Sequence, residues 1–150
     1  MKKFALPVSV VVLALIWAVL WRTIPTFAED PKIFEIREKM FIQQCNDIYL
    51  NPDEYLGRTV RLEGIYEEEA DEESGGTFRY VIRRGPGCCG NDGVAGFEVL
   101  FDGTPPPAPN DWVEAVGTVE LVSADSLESV VLRLSRLAVM EKRGAEFVDN

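Results

Sequence analysis

The hydrophobic period of the sequence changes to two at Arg58, and this change most constrains the fold. From there to Met140, apolar and polar residues alternate in separate segments such as TVRLEGIYEEE and DWVEAVGTVELV. Alternation with this period is typical of β-strands that bury one face. Five strands are predicted, at residues 58–69, 77–85, 94–103, 111–122 and 129–140.

The connections between these segments indicate how the strands are arranged. Gly64 and Gly117 lie in the middle of predicted strands, where glycine favours a bulge or sharp bend. Residues 67–76 form an acidic hairpin tip, and the proline-rich stretch 104–110 can be neither helix nor ladder because proline has no amide hydrogen. We therefore expect a mainly β domain, a five-stranded OB-like barrel.

One or two short helices are predicted in front of the barrel. Asn51 and Pro52 suit the cap and first position of a second helix that ends at Gly57. Residues 33–39 alternate and are interpreted as an extended lead-in. The first helix is indicated by apolar residues on one helical face: Phe41, Ile42, Cys45, Ile48 and Tyr49.

The N-terminus carries an apolar run, Phe4 to Trp21, whose only polar side chain is Ser9. Its length matches one hydrocarbon core. Two lysines precede the run, so the positive-inside rule predicts that the rest of the chain lies outside the cytoplasm. We expect residues 1–28 to be a membrane anchor or signal segment and residues 29–150 to be an extracytoplasmic domain. This predicts a single-pass protein of the cell membrane; a cleavage site at residues 26–28 is the alternative.

The charge of the chain restricts its partners. After Ala28 there are 12 basic and 25 acidic residues, a net charge of −13. Such a charge repels phosphate backbones, so no nucleic-acid partner is expected. The chain has no histidine. A metal site must therefore use sulfur and oxygen ligands, and an enzyme would lack the commonest general base, so we expect no enzymatic activity.

Three stretches, NDIYLNPDEYLGRTVRLEGIY, CCGNDGVAGFEVLFDG and DWVEAVGTVEL, resemble a bacterial family of unknown function. Members of that family have an extracytoplasmic OB-like domain in the smaller subunit of a predicted two-subunit membrane permease complex. The resemblance covers residues 33–141 and implies a fold, a location and a membrane permease subunit as partner. It supplies no ligand, and this chain has a single candidate span where larger members have more.

The stretch GPGCCGNDG, residues 85–93, places Cys88 and Cys89 side by side. They could be ligands for zinc or copper(I), with Asp92 or Cys45 completing the set. One of them could instead form a disulfide with Cys45, as an oxidising compartment favours. Two interpretations remain. Cys88 and Cys89 could form a disulfide with each other, which would suit a redox switch, or they could only fill space beside the turn.

A cluster of arginines and a set of aromatic residues are two further candidate groups. Arg79, Arg83 and Arg84 are expected to neutralise nearby carboxylates, and binding of an anionic group is the alternative. In the second predicted strand, the alternation indicates one face for aromatic and apolar residues and the other for Arg79 and Arg83. The aromatic residues form either core or a platform for carbohydrate: Tyr49, Tyr55, Phe78 and Tyr80. Residues 144–150 are expected to be a tail.

These observations predict a membrane-anchored extracytoplasmic domain with a binding or accessory role. Metal binding by the vicinal cysteine loop, beside a permease, is the function that accounts for most of these observations. A thiol redox protein and a carbohydrate-binding module are the alternatives.

Overall fold

A computed structural model describes residues 33–72, 75–103, 105–124 and 127–149. The predicted anchor at residues 1–28 lies outside these ranges. Within them, no helix is both long and apolar enough to cross a bilayer.

The described chain forms six strands and two short helices. A single 3-10 turn, Glu38–Met40, leads into the first helix. The helices are α1, Phe41–Leu50, and α2, Pro52–Tyr55. The strands are β1, Phe34–Glu35; β2, Thr59–Ala70; β3, Thr77–Gly87; β4, Gly90–Leu100; β5, Trp112–Ala124; and β6, Leu127–Val139.

Strands β2 to β6 close into a five-stranded OB-like barrel, as the sequence predicts. β2 pairs with β3 and β3 with β4, both antiparallel, and β4 pairs with β6 in parallel. β6 pairs with β5, and β5 returns to β2, which closes the sheet. The predicted extended lead-in contributes β1, which adds a short parallel pairing to β2.

The two mid-strand glycines make this closure possible. β2 pairs with β5 up to Ile65 and with β3 from Ile65 onward, so the strand turns from one neighbour to the other beside Gly64. A Cβ at Gly64 would lie 2.6 Å from the carbonyl oxygen of Ile82. Gly117 lies at the irregularity in the β5–β6 ladder, and a Cβ there would lie 2.7 Å from the Arg133 carbonyl oxygen. Larger side chains would hold these strands apart.

The helices pack on the barrel as the apolar pattern indicates. Phe41, Cys45 and Ile48 of α1 are buried in the main core cluster with the inward residues of the strands. Pro52 begins α2. Asn51 lies in the cap position, but its side chain makes no capping hydrogen bond; its amide donates to the Asp47 carboxylate at 2.9 Å.

The alternation in β3 separates its two faces as predicted, but the face that reaches the main core is not the one with Phe78, Tyr80 and Ile82. Val81 is the β3 residue in the main core, whereas Phe78 is 40% exposed. Ile82 instead joins a second cluster with Ile65 and Trp112. Arg83, on the same face as Val81, is only 2% exposed. Alternation identified a strand but could not identify its inner face, since the second cluster and the C-terminal segment make both faces of β3 partly buried.

The C-terminal residues are not a tail. The Arg84 amide donates to the Glu146 carbonyl at 2.9 Å, and the Val148 amide donates to the Arg84 carbonyl at 2.9 Å. Val148 is buried in the main core cluster. This segment therefore runs along β3, where it completes the core, and no local sequence pattern reports such a distant contact.

Candidate metal centre in the cysteine hairpin

Cys88 and Cys89 are the two turn residues of the β3–β4 hairpin. Gly87 pairs with Gly90 across the turn, and the ladder is irregular between Gly85 and Gly87. The strands thus extend further into the glycine-rich stretch than the sequence predicts. Both cysteines are exposed free thiols. Their exposure argues against the interpretation that they only fill space.

The turn brings three potential metal ligands together. The two sulfur atoms are 3.4 Å apart, and the Cys88 sulfur is 3.8 Å from Oδ2 of Asp92. One ligand atom from each of Cys88, Cys89 and Asp92 lies within 4.8 Å of the others. The structure therefore groups three of the four residues predicted as metal ligands.

Glycines on either side of the turn leave space for the Asp92 carboxylate. A Cβ at Gly87 would lie 2.0 Å from Asp92 Oδ1, so no other residue fits there without moving the carboxylate. Asp92 Oδ1 also accepts a hydrogen bond from the Cys89 amide at 3.3 Å. A Cβ at Gly93 would lie 2.5 Å from the Pro86 carbonyl oxygen. The carboxylate is thus oriented toward the sulfurs by the local backbone.

The spacing of these atoms suits a small tetrahedral ion. Zinc binds thiolate sulfur at about 2.3 Å and carboxylate oxygen at about 2.0 Å, which places tetrahedral ligand atoms about 3.5 to 3.8 Å apart. The sulfur–sulfur distance in the hairpin, 3.4 Å, is about 0.4 Å shorter than the tetrahedral value, and the sulfur–oxygen distance, 3.8 Å, is about 0.3 Å longer. Small side-chain rotations would bring all three donors onto one ion.

Cys45 is not brought to this site. It belongs to the buried face of α1, is 1% exposed, and is a free thiol. The cluster of ligand atoms in the hairpin does not include it. Burial raises the pKa of the Cys45 thiol to about 12, so the thiolate that a metal or a disulfide exchange requires is strongly disfavoured. The structure contains no disulfide between Cys45 and either hairpin cysteine.

The arginines of β3 are paired with carboxylates, as expected. Arg79 contacts Glu68 at 3.4 Å, Arg83 contacts Glu38 at 3.0 Å, and Arg84 contacts Glu67 at 2.8 Å. These pairs hold β2, the 3-10 turn and β3 together.

The predicted aromatic platform is only partly exposed. Tyr55 is 6% exposed and donates a hydrogen bond to the Asp47 carboxylate, so it cannot stack on a sugar. Tyr49 is 45% exposed, and its ring stacks on Phe97 with centroids 5.1 Å apart. Carbohydrate binding stays a prediction that rests on Tyr49, Tyr80 and Phe78.

Tyr49 and Tyr80 both line a cleft of about 760 Å³ beside β4. Sequence reasoning missed this cleft. Its acidic residues are separated by up to 75 positions in the chain, from Asp53 to Glu128, so no local spacing could have identified them.

The sequence matches the model of a known protein family. The family described as the DUF1980 C-terminal domain matches residues 22–148, most of the chain. No curated protein and no solved structure matches the sequence significantly.

Proposed function

The chain belongs to the DUF1980 C-terminal domain family, and we propose that within this family it is a non-enzymatic domain whose cysteine hairpin binds zinc or copper(I). The observation that carries the proposal is the cluster of Cys88, Cys89 and Asp92, whose ligand atoms lie within 4.8 Å of one another at an exposed turn. Three protein ligands leave one tetrahedral position open to a water molecule or to a ligand from a partner.

Asp92 makes it possible to distinguish the two metals. Copper(I) is selected by soft thiolate ligands and has little preference for a carboxylate, whereas zinc accepts both sulfur and oxygen. Zinc binding should therefore depend on all three residues. Copper(I) binding should depend on Cys88 and Cys89 alone.

The location and partner are also proposals. The apolar run from Phe4 to Trp21 and the lysines before it support a membrane anchor with the barrel outside the cytoplasm. The resemblance of residues 33–141 to a permease-associated family supports an accessory role beside a membrane permease subunit. In this arrangement the open ligand position would present the ion to the permease or sense it there.

The metal proposal is tested with the full 150-residue chain, reduced and freed of metal. Cobalt(II) serves as a spectroscopic substitute for zinc, since thiolate ligands give it a charge-transfer band whose intensity reports how many sulfurs are bound. We expect a saturable band, displaced by zinc, that falls stepwise in Cys88→Ala and Cys89→Ala. Asp92→Asn should weaken cobalt and zinc binding about tenfold or more, as expected for loss of a metal ligand, and leave copper(I) binding unchanged.

Two control variants match these substitutions. Cys45→Ala removes a cysteine from the core and Asp102→Asn removes an exposed carboxylate beyond β4, and neither should change the cobalt band. The proposal is wrong if the reduced chain binds neither cobalt, zinc nor copper(I) above background, or if Cys45→Ala removes the band as fully as the hairpin variants do.

A thiol redox role is the second candidate, and the 3.4 Å separation of the two hairpin sulfurs favours it. Oxidation by a disulfide such as oxidised glutathione would join the two sulfurs and transfer two electrons and two protons to give two glutathione molecules. We would then observe a chain lighter by two hydrogens in glutathione buffers, with no mixed disulfide remaining. A hairpin that stays reduced in oxidised glutathione excludes this role.

A further inference from the structure

The barrel wall is closed over only a short stretch between β4 and β6, and beside this stretch the two strands diverge to leave an opening. The two strands pair in parallel only from Glu98 to Leu100 on β4 and from Val131 to Arg133 on β6. Among the described residues, the earlier part of β4 pairs with β3 alone and residues 127–130 of β6 pair with β5 alone. The cleft of about 760 Å³ lies at this opening, lined by residues 94–98 of β4 and 128–130 of β6.

The edge of β4 in this cleft has the properties of an unpaired strand. Edge strands present free backbone amides and carbonyls that can bind another extended chain. The carbonyl of Gly96 accepts a hydrogen bond at 3.0 Å from the Tyr49 hydroxyl, a side chain, where a neighbouring strand would otherwise supply an amide. Val94 beside it is 62% exposed. The edge is thus exposed at Val94 and half-buried at Ala95 and Gly96, with no strand paired to it on the cleft side among the described residues.

The charge of the cleft is uniformly acidic. Asp53, Glu98 and Glu128 line it, and the described lining residues include no lysine or arginine. None of the three carboxylates has an ion-pair partner among the described residues, whereas Glu67 and Glu120 are both paired with arginine. Partial burial raises the pKa of Glu98, which reflects a carboxylate placed away from water without a compensating cation.

We propose that this cleft binds an extended segment of a partner protein that carries lysine or arginine side chains and adds as a strand to the edge of β4. Strand addition supplies main-chain hydrogen bonds, and alternate side chains reach pockets on either side. The four residues Val94 to Phe97 span about 13 Å of extended chain, so a segment of five or six residues suffices. The partner's cations complement Glu98 and Glu128, and the rings of Tyr49 and Tyr80 add cation–π contacts.

The test uses the full chain and a fluorescently labelled probe peptide, acetyl-Thr-Lys-Val-Lys-Val-Lys-Thr-amide, with fluorescence anisotropy as the readout. Three comparison probes separate the contributions: the same sequence with glutamate in place of lysine, the same peptide with alternate backbone amides methylated, and acetyl-lysine amide alone. We expect saturable binding of the basic peptide only. Hydrogen exchange at residues 94–97 should slow when that peptide is bound.

Variants of the cleft then identify the site. Glu98→Gln combined with Glu128→Gln should weaken peptide binding about fivefold, as expected for two partly exposed ion pairs. The control, Glu54→Gln combined with Glu141→Gln, also removes two negative charges, at residues that do not line the cleft, and should leave binding unchanged. Thermal unfolding of each variant confirms that it is folded.

Every other outcome overturns the proposal. Equal binding of the methylated peptide would show that charge alone acts and that the strand edge is not used. Equal binding of acetyl-lysine amide would indicate a small-amine site. No saturable binding, or no change in exchange at residues 94–97, excludes strand addition. The cysteine hairpin is not part of this cleft, so failure here leaves the metal proposal unaffected.

Discussion

Replacement of Arg83 by methionine is expected to destabilise the barrel more than any other single arginine substitution in β3. Its Nε donates to the Glu63 carbonyl at 2.8 Å, and Nη1 donates to the Glu38 carboxylate and to the Ala145 carbonyl, both at 3.0 Å. These bonds join β3 to β2, the 3-10 turn and the C-terminal segment. Methionine preserves the long unbranched side chain, so the substitution mainly removes the hydrogen bonds and the charge.

The size of the effect follows from burial. Removing one partner of a buried ion pair costs about 3 to 5 kcal/mol because the other charge is left without a partner. Glu38 is half exposed, with 52% of its side chain accessible, so water can solvate it and the lower end applies. The Arg83 guanidinium also lies 4.9 Å from the Phe41 ring centroid and 4.8 Å from that of Trp112, contacts that methionine sulfur replaces in part. We expect Arg83→Met to lower the free energy of unfolding by about 3 kcal/mol.

The measurement is urea unfolding of the full chain followed by circular dichroism, with Arg79→Met as the matched control. Arg79 lies on the same strand, but its side chain is 35% exposed and pairs with Glu68 at 3.4 Å. That pair should be worth about 0.5 kcal/mol. A loss below about 1 kcal/mol in Arg83→Met, or an equal loss in both variants, would refute the argument that the buried network holds the C-terminal segment to the barrel.

Three further predictions concern the hairpin and the charge network. Gly87→Ala should weaken zinc binding without removing a ligand, since the new Cβ would displace the Asp92 carboxylate; a zinc competition titration that gives an unchanged affinity contradicts this. In native protein, two thiols should react rapidly with a chromogenic disulfide and the third, Cys45, only after unfolding, because its pKa is about 12 and its side chain is buried. Hydrogen bonds from the Ala145 amide and from Arg83 lower the pKa of Glu38 below its ordinary value of 4.5. Ionised Glu38 therefore stabilises the folded state above pH 4.5, and this stabilisation is lost as the pH falls through the lower pKa that Glu38 has in the folded protein. Glu38→Gln should therefore flatten the loss of stability between about pH 5 and pH 3, and an unchanged pH profile would contradict the assignment.

The sequence by itself determined the strands of the barrel and the two bends in its sheet. The period-two segments predicted all five barrel strands, and Gly64 and Gly117 indicated the bends through which β2 and β5 curl the sheet. These features are local, because alternation and the absence of a Cβ act on the residues that carry them. The vicinal pair Cys88 and Cys89, with Asp92 three residues after Cys89, was also visible, since a hairpin turn brings near neighbours together.

Only the tertiary structure decided which residues share a site or a face. Cys45 follows the apolar face of α1 into the core and so lies apart from the hairpin, although the sequence allowed it as a ligand. Arg83 becomes buried because a segment more than 60 residues away closes over it, with a hydrogen bond to Ala145. The cleft joins α2, β4 and β6 where two strands diverge. Contacts between distant segments depend on how the strands pair in three dimensions. The alternation of apolar and polar residues in β4 and in β6 does not indicate that these two strands pair with each other.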